Sequence, residues 1–111
     1  MKVLLDEMLP IGLRELLTEH DVVTAGYAGL AGIPNGQMIE GAIAADFDVI
    51  LTLDRGIQHQ QNLDRYPIGF VLIDDNEVDL IKPYADQLSD AIANAHPGGV
   101  ARLGHADRGG E

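Results

Sequence analysis

The sequence contains no cysteine, and it has no long apolar run. The absence of cysteine excludes a disulfide scaffold, a thiol nucleophile, and zinc or iron–sulfur sites with cysteine ligands. No run approaches the roughly 18 apolar residues that a membrane-spanning helix needs. The first apolar run ends at Asp6 and Glu7, too early for the core of a signal peptide. We therefore expect a soluble, cytoplasmic protein that does not associate with a membrane.

Basic residues are also scarce. The 111 residues include 18 acids and only 7 lysines and arginines, which gives a formal net charge of −11. Such a surface disfavours passive binding to nucleic acid, but it allows a carboxylate site for cations or a basic protein partner. Glycines at 29 and 32 open no predicted helix and precede no lysine, so a phosphate loop or a dinucleotide fold is not supported.

Short, β-branched runs alternate with stretches of helical periodicity. The runs stand at residues 3–5, 21–25, 48–53 and 68–73. Continuous apolar runs of this length are typical of parallel strands buried on both faces. The pattern predicts a three-layer α/β domain over residues 1–95, in which a four-stranded, mainly parallel sheet is flanked by helices. Residues 96–111 are rich in glycine and lack periodicity, so we expect a flexible C-terminal tail.

Acidic residues follow three of the predicted strands. Asp6 and Glu7 follow the first, Asp54 follows the third, and Asp74 and Asp75 follow the fourth. Ligands of open parallel sheets bind outside the carboxyl ends, where the strand order reverses. If that point separates the first and third strands, Asp6 and Asp54 lie about 5 Å apart by strand spacing. Two carboxylates so close repel unless a cation lies between them, and oxygen ligands suit Mg²⁺ or Mn²⁺.

Structural roles also explain the same residues. An aspartate at a strand-to-helix junction, such as Asp54, often caps the next helix, and residues 74–79 could form a solvated acidic face. Asn35 is placed to act as an N-cap by accepting from the first helical turn, although the same position could hold a ligand. Asp46 and Asp48 flank the start of the third strand, at the opposite edge of the sheet, and are expected to be structural.

Two sequence blocks resemble a known family. The blocks are LLDEMLP at residues 4–10 and NGQMIEGAIAADFDVILTLDRGIQHQQNL at residues 35–63. Together they resemble the small prokaryotic PIN-like domains, which are similar to the VapC-type toxins of toxin–antitoxin pairs. The resemblance covers about residues 1–75. It implies a PIN-like fold and a metal-dependent ribonuclease activity, with an RNA substrate and an antitoxin protein as partners.

The resemblance also implies site residues. Asp6 matches the first acid of the PIN site and Asp54 the last, so both are expected to bind Mg²⁺ or Mn²⁺ and to be catalytic. Asn35 stands where the family has an acid. Glu7 is expected to be catalytic as well, as a partial replacement for an acid on a middle helix that residues 25–35 are too few to form. Asn35 and Arg55 are the expected contacts to the substrate.

Two functions remain open at this stage. The first is a ribonuclease whose bound metal polarises the scissile phosphodiester. The second is a non-catalytic PIN-like binding module that pairs with a basic protein, an antitoxin, or a second copy of itself as a homodimer. A receiver-type phosphoacceptor is less favoured, because Lys82 lies in the last helical stretch rather than at the end of a late strand.

Overall fold

The apolar runs form a parallel sheet. The computed structural model describes residues 1–53 and 56–104, and within them the sheet has five strands. These are β1 (Lys2–Leu5), β2 (Asp21–Thr24), β3 (Val49–Thr52), β4 (Gly69–Ile73) and β5 (Val100–Leu103). Every residue of β3 and β4 is buried, as expected for central strands covered on both faces.

The order of the strands is β2-β1-β3-β4-β5, and all four pairings are parallel. The chain passes from β1 outward to β2 and then crosses back to form β3 on the other side of β1. The strand order therefore reverses between β1 and β3, as the metal-site hypothesis requires. In this pairing Leu5 lies opposite Leu51, so the residues that follow the two strands meet at one edge.

Helices cover both faces of the sheet. They are α1 (Leu13–Leu16), α2 (Ala25–Ala28), α3 (Asn35–Ala44), α4 (Ile57–Gln60), α5 (Val78–Ile81) and α6 (Ala85–Ala93). Short 3-10 turns stand at Leu63–Arg65 and Lys82–Tyr84. The last helical stretch of the sequence, which contains Lys82, forms α5, a 3-10 turn and α6. Pro83 lies in that turn, and proline has no backbone N–H to continue a helical ladder.

Two apolar layers hold the helices to the sheet. Side chains alternate along a strand, so Val3 and Leu5 pack on one face and Leu4 packs on the other. The first layer includes Leu13 of α1 and Leu88 of α6. The second layer includes the buried face of α3, formed by its residues Met38, Ile39 and Ala42. These layers confirm the predicted α/β architecture. Within the described ranges, no helix is long and apolar enough to cross a membrane.

The number of strands differs from the prediction. The sequence predicted four, but β5 forms a fifth within residues 96–111, where a flexible tail was expected. Its residues pair in parallel with β4, from Phe70 opposite Val100 to Ile73 opposite Leu103. β5 lies at the edge and is at most half buried, so its sequence lacks the continuous apolar run of a central strand. The prediction of a tail is therefore wrong for Val100–Leu103. Residues 105–111 lie outside the described part of the chain.

Candidate functional site

The carboxylate of Asp6 lies at the point where the strand order reverses. Asp6 directly follows β1, and its backbone N–H donates to the carbonyl oxygen of Leu51 in β3 at 3.0 Å. This bond continues the pairing of the two strands by one residue and holds Asp6 at the carboxyl edge of the sheet. Only 6% of Asp6 is exposed. Burial of a carboxylate is costly unless the group is hydrogen-bonded, so its partners matter.

Thr52 is the side-chain partner of Asp6. The Thr52 hydroxyl, at the end of β3, donates to Oδ2 of Asp6 across the gap between the two strands. Thr52 is fully buried, so this donor does not exchange readily with water. The hydroxyl thereby orients the Asp6 carboxylate. Thr52 was not among the predicted site residues, since its contact with Asp6 depends on the register between β1 and β3.

A pocket of about 190 Å³ opens beside Asp6. Its lining residues come from the end of β1, the segment that follows it, and the junction of β2 and α2: Leu5, Asp6, Glu7, Leu9, Ile11, Thr24 and Gly26. A water molecule occupies about 30 Å³ in the liquid, so a pocket of this size has room for a small ion and several waters. Mg²⁺ commonly keeps several waters when one or two carboxylates bind it.

Glu7 lines the same pocket but already has a backbone partner. Its Oε2 accepts from the backbone N–H of Gly32 at 2.7 Å. The side chain is exposed, and the bond attaches the loop between α2 and α3 to the end of β1. Glu7 therefore lies at the mouth of the Asp6 pocket, where it adds a second negative charge.

Asn35 does not act as the predicted helix cap. The N-cap of α3 is Pro34, which has extended backbone angles, and Asn35 is the first helical residue. The Nδ2 group of Asn35 donates to Oε1 of Gln60 at 3.1 Å, a contact between α3 and α4. The expected cap was therefore wrong by one position. Its role as a substrate contact stays a prediction.

Asp54 and Arg55 lie outside the described residues. Their roles as metal ligand and substrate contact therefore also stay predictions. Within residues 1–53 and 56–104, no three acidic or histidine side chains are grouped closely enough to hold a metal ion. In this part of the chain the fit to a divalent ion rests on Asp6, oriented by Thr52 and facing the pocket. Such a donor set suits a hydrated ion held by few protein ligands.

A second buried carboxylate lies at the same edge of the sheet. Asp75 follows β4, is 7% exposed, and accepts from the hydroxyl of Tyr84 at 2.8 Å. Tyr84 itself is almost fully buried. A solvated acidic face was one interpretation of residues 74–79; it holds for Asp74 and Asp79, which are exposed, and is wrong for Asp75. The signal that could have identified the pair is Tyr84 on an apolar helical stripe, because a buried tyrosine hydroxyl needs a partner.

The two buried carboxylates are separated by β3. Asp6 follows β1 and Asp75 follows β4, so they lie two strand spacings apart, or about 10 Å. Each accepts a hydrogen bond from a buried hydroxyl group. The edge therefore presents two oriented acids on either side of the end of β3. Comparison of the chain with protein-family models, with curated proteins and with solved structures finds no match.

Proposed function

We propose that this protein is a PIN-like ribonuclease that depends on Mg²⁺ or Mn²⁺ and acts as the toxin of a toxin–antitoxin pair. The observation that supports the proposal is the position of Asp6. It is a buried carboxylate at the reversal of strand order, it is oriented by Thr52, and it faces a pocket large enough for a hydrated ion. The reversal of strand order between β1 and β3 is the place in an open parallel sheet where ligands bind. The pocket adjoins it from the β2 side of β1, with Asp6 common to both.

In the proposed mechanism each residue has one task. Asp6 and Asp54 would bind the cation, and Thr52 would keep the Asp6 carboxylate directed at the position of the cation. Glu7 adds negative charge at the mouth of the pocket, while Asn35 and Arg55 contact the RNA. When bound, Mg²⁺ or Mn²⁺ supplies polarisation of the phosphodiester and a more acidic water. Since the chain has a net charge of −11, RNA binding depends on local contacts such as Arg55 rather than on a general basic surface.

The direct test is cleavage of RNA by the wild-type protein and by Asp6→Asn, with and without Mn²⁺. The substitution keeps the size of the side chain and removes its charge. A matched control is Asp48→Asn, which removes the same charge at the opposite edge of the sheet. We expect Mn²⁺-dependent cleavage by the wild type and by Asp48→Asn, and none by Asp6→Asn. Equal cleavage by all three proteins would contradict the proposal.

A second candidate is a PIN-like binding module that acts through a basic protein. Two features of the sequence favour it: the net charge of −11, and the presence of Asn35, which carries no charge, where the family has an acid. Titration of the wild type with Mn²⁺, followed by calorimetry, separates the candidates. Saturable binding that Asp6→Asn abolishes supports the nuclease, whereas no binding by the wild type supports the module.

A further inference from the structure

The outer edge of β2 differs from the interior of the sheet. Within residues 1–53 and 56–104, β2 pairs with β1 alone, so its other side has no neighbouring strand. The Nε group of Arg14 donates to the carbonyl oxygen of Val22 at 3.0 Å, which shows that this carbonyl faces away from β1. An edge of this kind is a template for the addition of another strand.

Two adjoining grooves follow this edge. Their volumes are about 420 Å³ and 500 Å³, and they share the lining residues Ile11, Arg14, Asp21 and Val22. The first extends along α1 to His20, and the second extends along β2 to Tyr27. The two grooves together run along the outer edge of β2 from Asp21 to Thr24. Side chains of an added strand would fit into them.

The grooves carry apolar side chains that are unusually exposed. Ile11 is 67% exposed and Tyr27 is 88% exposed. The first stands before α1 and the second lies within α2, and both line the groove that follows β2. Exposed apolar side chains beside an open strand edge are typical of surfaces that bind a polypeptide.

The charges around the grooves select the kind of partner. Glu15 lines the first groove, Asp21 lines both, and both residues are exposed. The nearby guanidinium of Arg14 already donates to Val22. With a net charge of −11 on each chain, a second copy would bring like charges together at this edge. RNA is disfavoured for the same reason. A basic segment is attracted.

From these features we infer that the β2 edge binds an extended, basic segment of a partner protein, which adds to the sheet as a sixth strand. Backbone hydrogen bonds from the outward amides of Val22 and Thr24 would supply part of the affinity. The Val22 carbonyl is bonded to Arg14, which the added strand would have to displace to pair there. Apolar side chains of the segment would cover Ile11 and Tyr27, and its lysines or arginines would face Glu15 and Asp21. This inference goes beyond the nuclease proposal and does not need a metal at Asp6. It deepens the binding-module candidate by naming the surface and the chemistry of the partner.

The inference can be tested with three labelled synthetic peptides. One alternates lysine and valine, one alternates glutamate and valine, and one is the lysine–valine peptide with N-methylated amides that cannot pair with a strand. Binding to the full chain is measured by fluorescence anisotropy at low ionic strength. We expect only the unmodified lysine–valine peptide to bind, with increased hydrogen-exchange protection of the amides of Val22 and Thr24, which point away from β1. Failure of that peptide to bind, or binding without this protection, would overturn the inference.

Two pairs of variants of the protein separate this edge from a general attraction to an acidic chain. The double variant Glu15→Lys, Asp21→Lys should weaken binding of the lysine–valine peptide by about fivefold, whereas Glu40→Lys, Asp90→Lys, with the same net charge, should have a smaller effect. The double variant Ile11→Ser, Tyr27→Ser should weaken it by about tenfold. Its control, Leu80→Ser, Val100→Ser, removes two exposed apolar side chains elsewhere and should leave binding unchanged.

Equal effects of a variant pair and its control would show that the peptide does not bind at the β2 edge. A labelled oligouridylate serves as the second probe, because the same grooves could accept a nucleotide strand. If the oligouridylate binds the wild type, and among the variants only Ile11→Ser, Tyr27→Ser abolishes that binding, the peptide assignment is overturned. None of these outcomes alters the expected effect of Asp6→Asn on Mn²⁺-dependent cleavage, so the two proposals fail independently.

Discussion

The two ends of the sheet use aspartate in different ways. At the carboxyl end, Asp6 and Asp75 are buried, and their partners are the side-chain hydroxyls of Thr52 and Tyr84. At the amino end, Asp48 is exposed, and its Oδ2 accepts from the backbone N–H of Lys2 at 2.8 Å. The first arrangement fixes the orientation of two buried carboxylates. The second provides an acceptor for a backbone N–H where β1 begins.

Further contacts at the amino end support its structural role. Asp46 adopts a left-handed conformation, with φ of 65°, where the chain leaves α3. The ammonium group of Lys2 donates to the carbonyl oxygen of Ala45 at 2.7 Å and lies 4.5 Å from the centre of the Phe47 ring. These contacts join β1 to the segment between α3 and β3. The difference shows that the role of an aspartate in this fold can be inferred only when it is known at which end of a strand the residue lies.

The largest expected difference between the two ends is in metal binding. Asp6→Asn should lower the affinity for Mn²⁺ by about 100-fold, because even a residue that only orients a ligand is worth about 10- to 100-fold. Asp48→Asn should leave this affinity unchanged, since Asp48 is at the other end of β3. Isothermal titration of both variants measures the effect. A similar loss in both would mean that the ion responds to the overall charge rather than to Asp6.

The next effect concerns the hydroxyl that orients Asp6. Thr52→Val keeps the shape of the side chain but removes its donor, so the affinity for Mn²⁺ should fall by about tenfold. The free energy of unfolding should also fall, by about 1–3 kcal/mol, because a buried acceptor loses a partner. Thr52→Ser, which retains a hydroxyl, is the control for metal binding. If the valine variant binds Mn²⁺ as tightly as the serine variant, Thr52 does not position the ligand.

The second buried carboxylate should affect stability rather than metal binding. Tyr84→Phe removes the hydroxyl that donates to Asp75 and should lower the free energy of unfolding by about 1–3 kcal/mol, as measured by urea denaturation. The affinity for Mn²⁺ should not change, because β3 separates Asp75 from Asp6. Tyr27→Phe removes a hydroxyl from an exposed ring and should change stability by less than about 0.5 kcal/mol. Weaker Mn²⁺ binding by Tyr84→Phe would place Asp75 in the metal site.

The smallest effect is expected at the amino end. Asp48→Ala removes the acceptor of the Lys2 N–H, but water can replace it at this exposed position. The free energy of unfolding should therefore fall by less than about 1 kcal/mol. Urea denaturation of Asp48→Ala and of Tyr84→Phe under the same conditions compares the two losses of stability directly. A loss as large as that of Tyr84→Phe would show that burial does not distinguish the two ends.

Much of the fold could be predicted because local pattern determined it. The β-branched runs around Val3, Val22, Ile50 and Val71 indicated parallel strands, and each lies in one. The edge strand β5 could not be predicted in this way. It is stabilised by pairing with β4, and a half-exposed strand needs no continuous apolar run.

The candidate site was predicted only in part, for a related reason. Asp6 could be placed at the carboxyl edge because it directly follows an apolar run. Thr52 could not be paired with it, since that contact depends on the register of two strands distant in sequence. Asp75 resembles its exposed acidic neighbours in sequence, and its burial arises because Tyr84 folds back onto the end of β4.

The sequence by itself determined the class of fold, the strongly acidic character, and the position of Asp6 at the end of a buried strand, because composition and apolar periodicity act locally. Only the tertiary structure decided which groups bind the acids. The hydroxyls of Thr52 and Tyr84 reach Asp6 and Asp75 from other elements of the fold. Tertiary structure likewise left the outer edge of β2 without a neighbouring strand in the described chain, since strand order follows from how the crossovers pack rather than from the residues of β2.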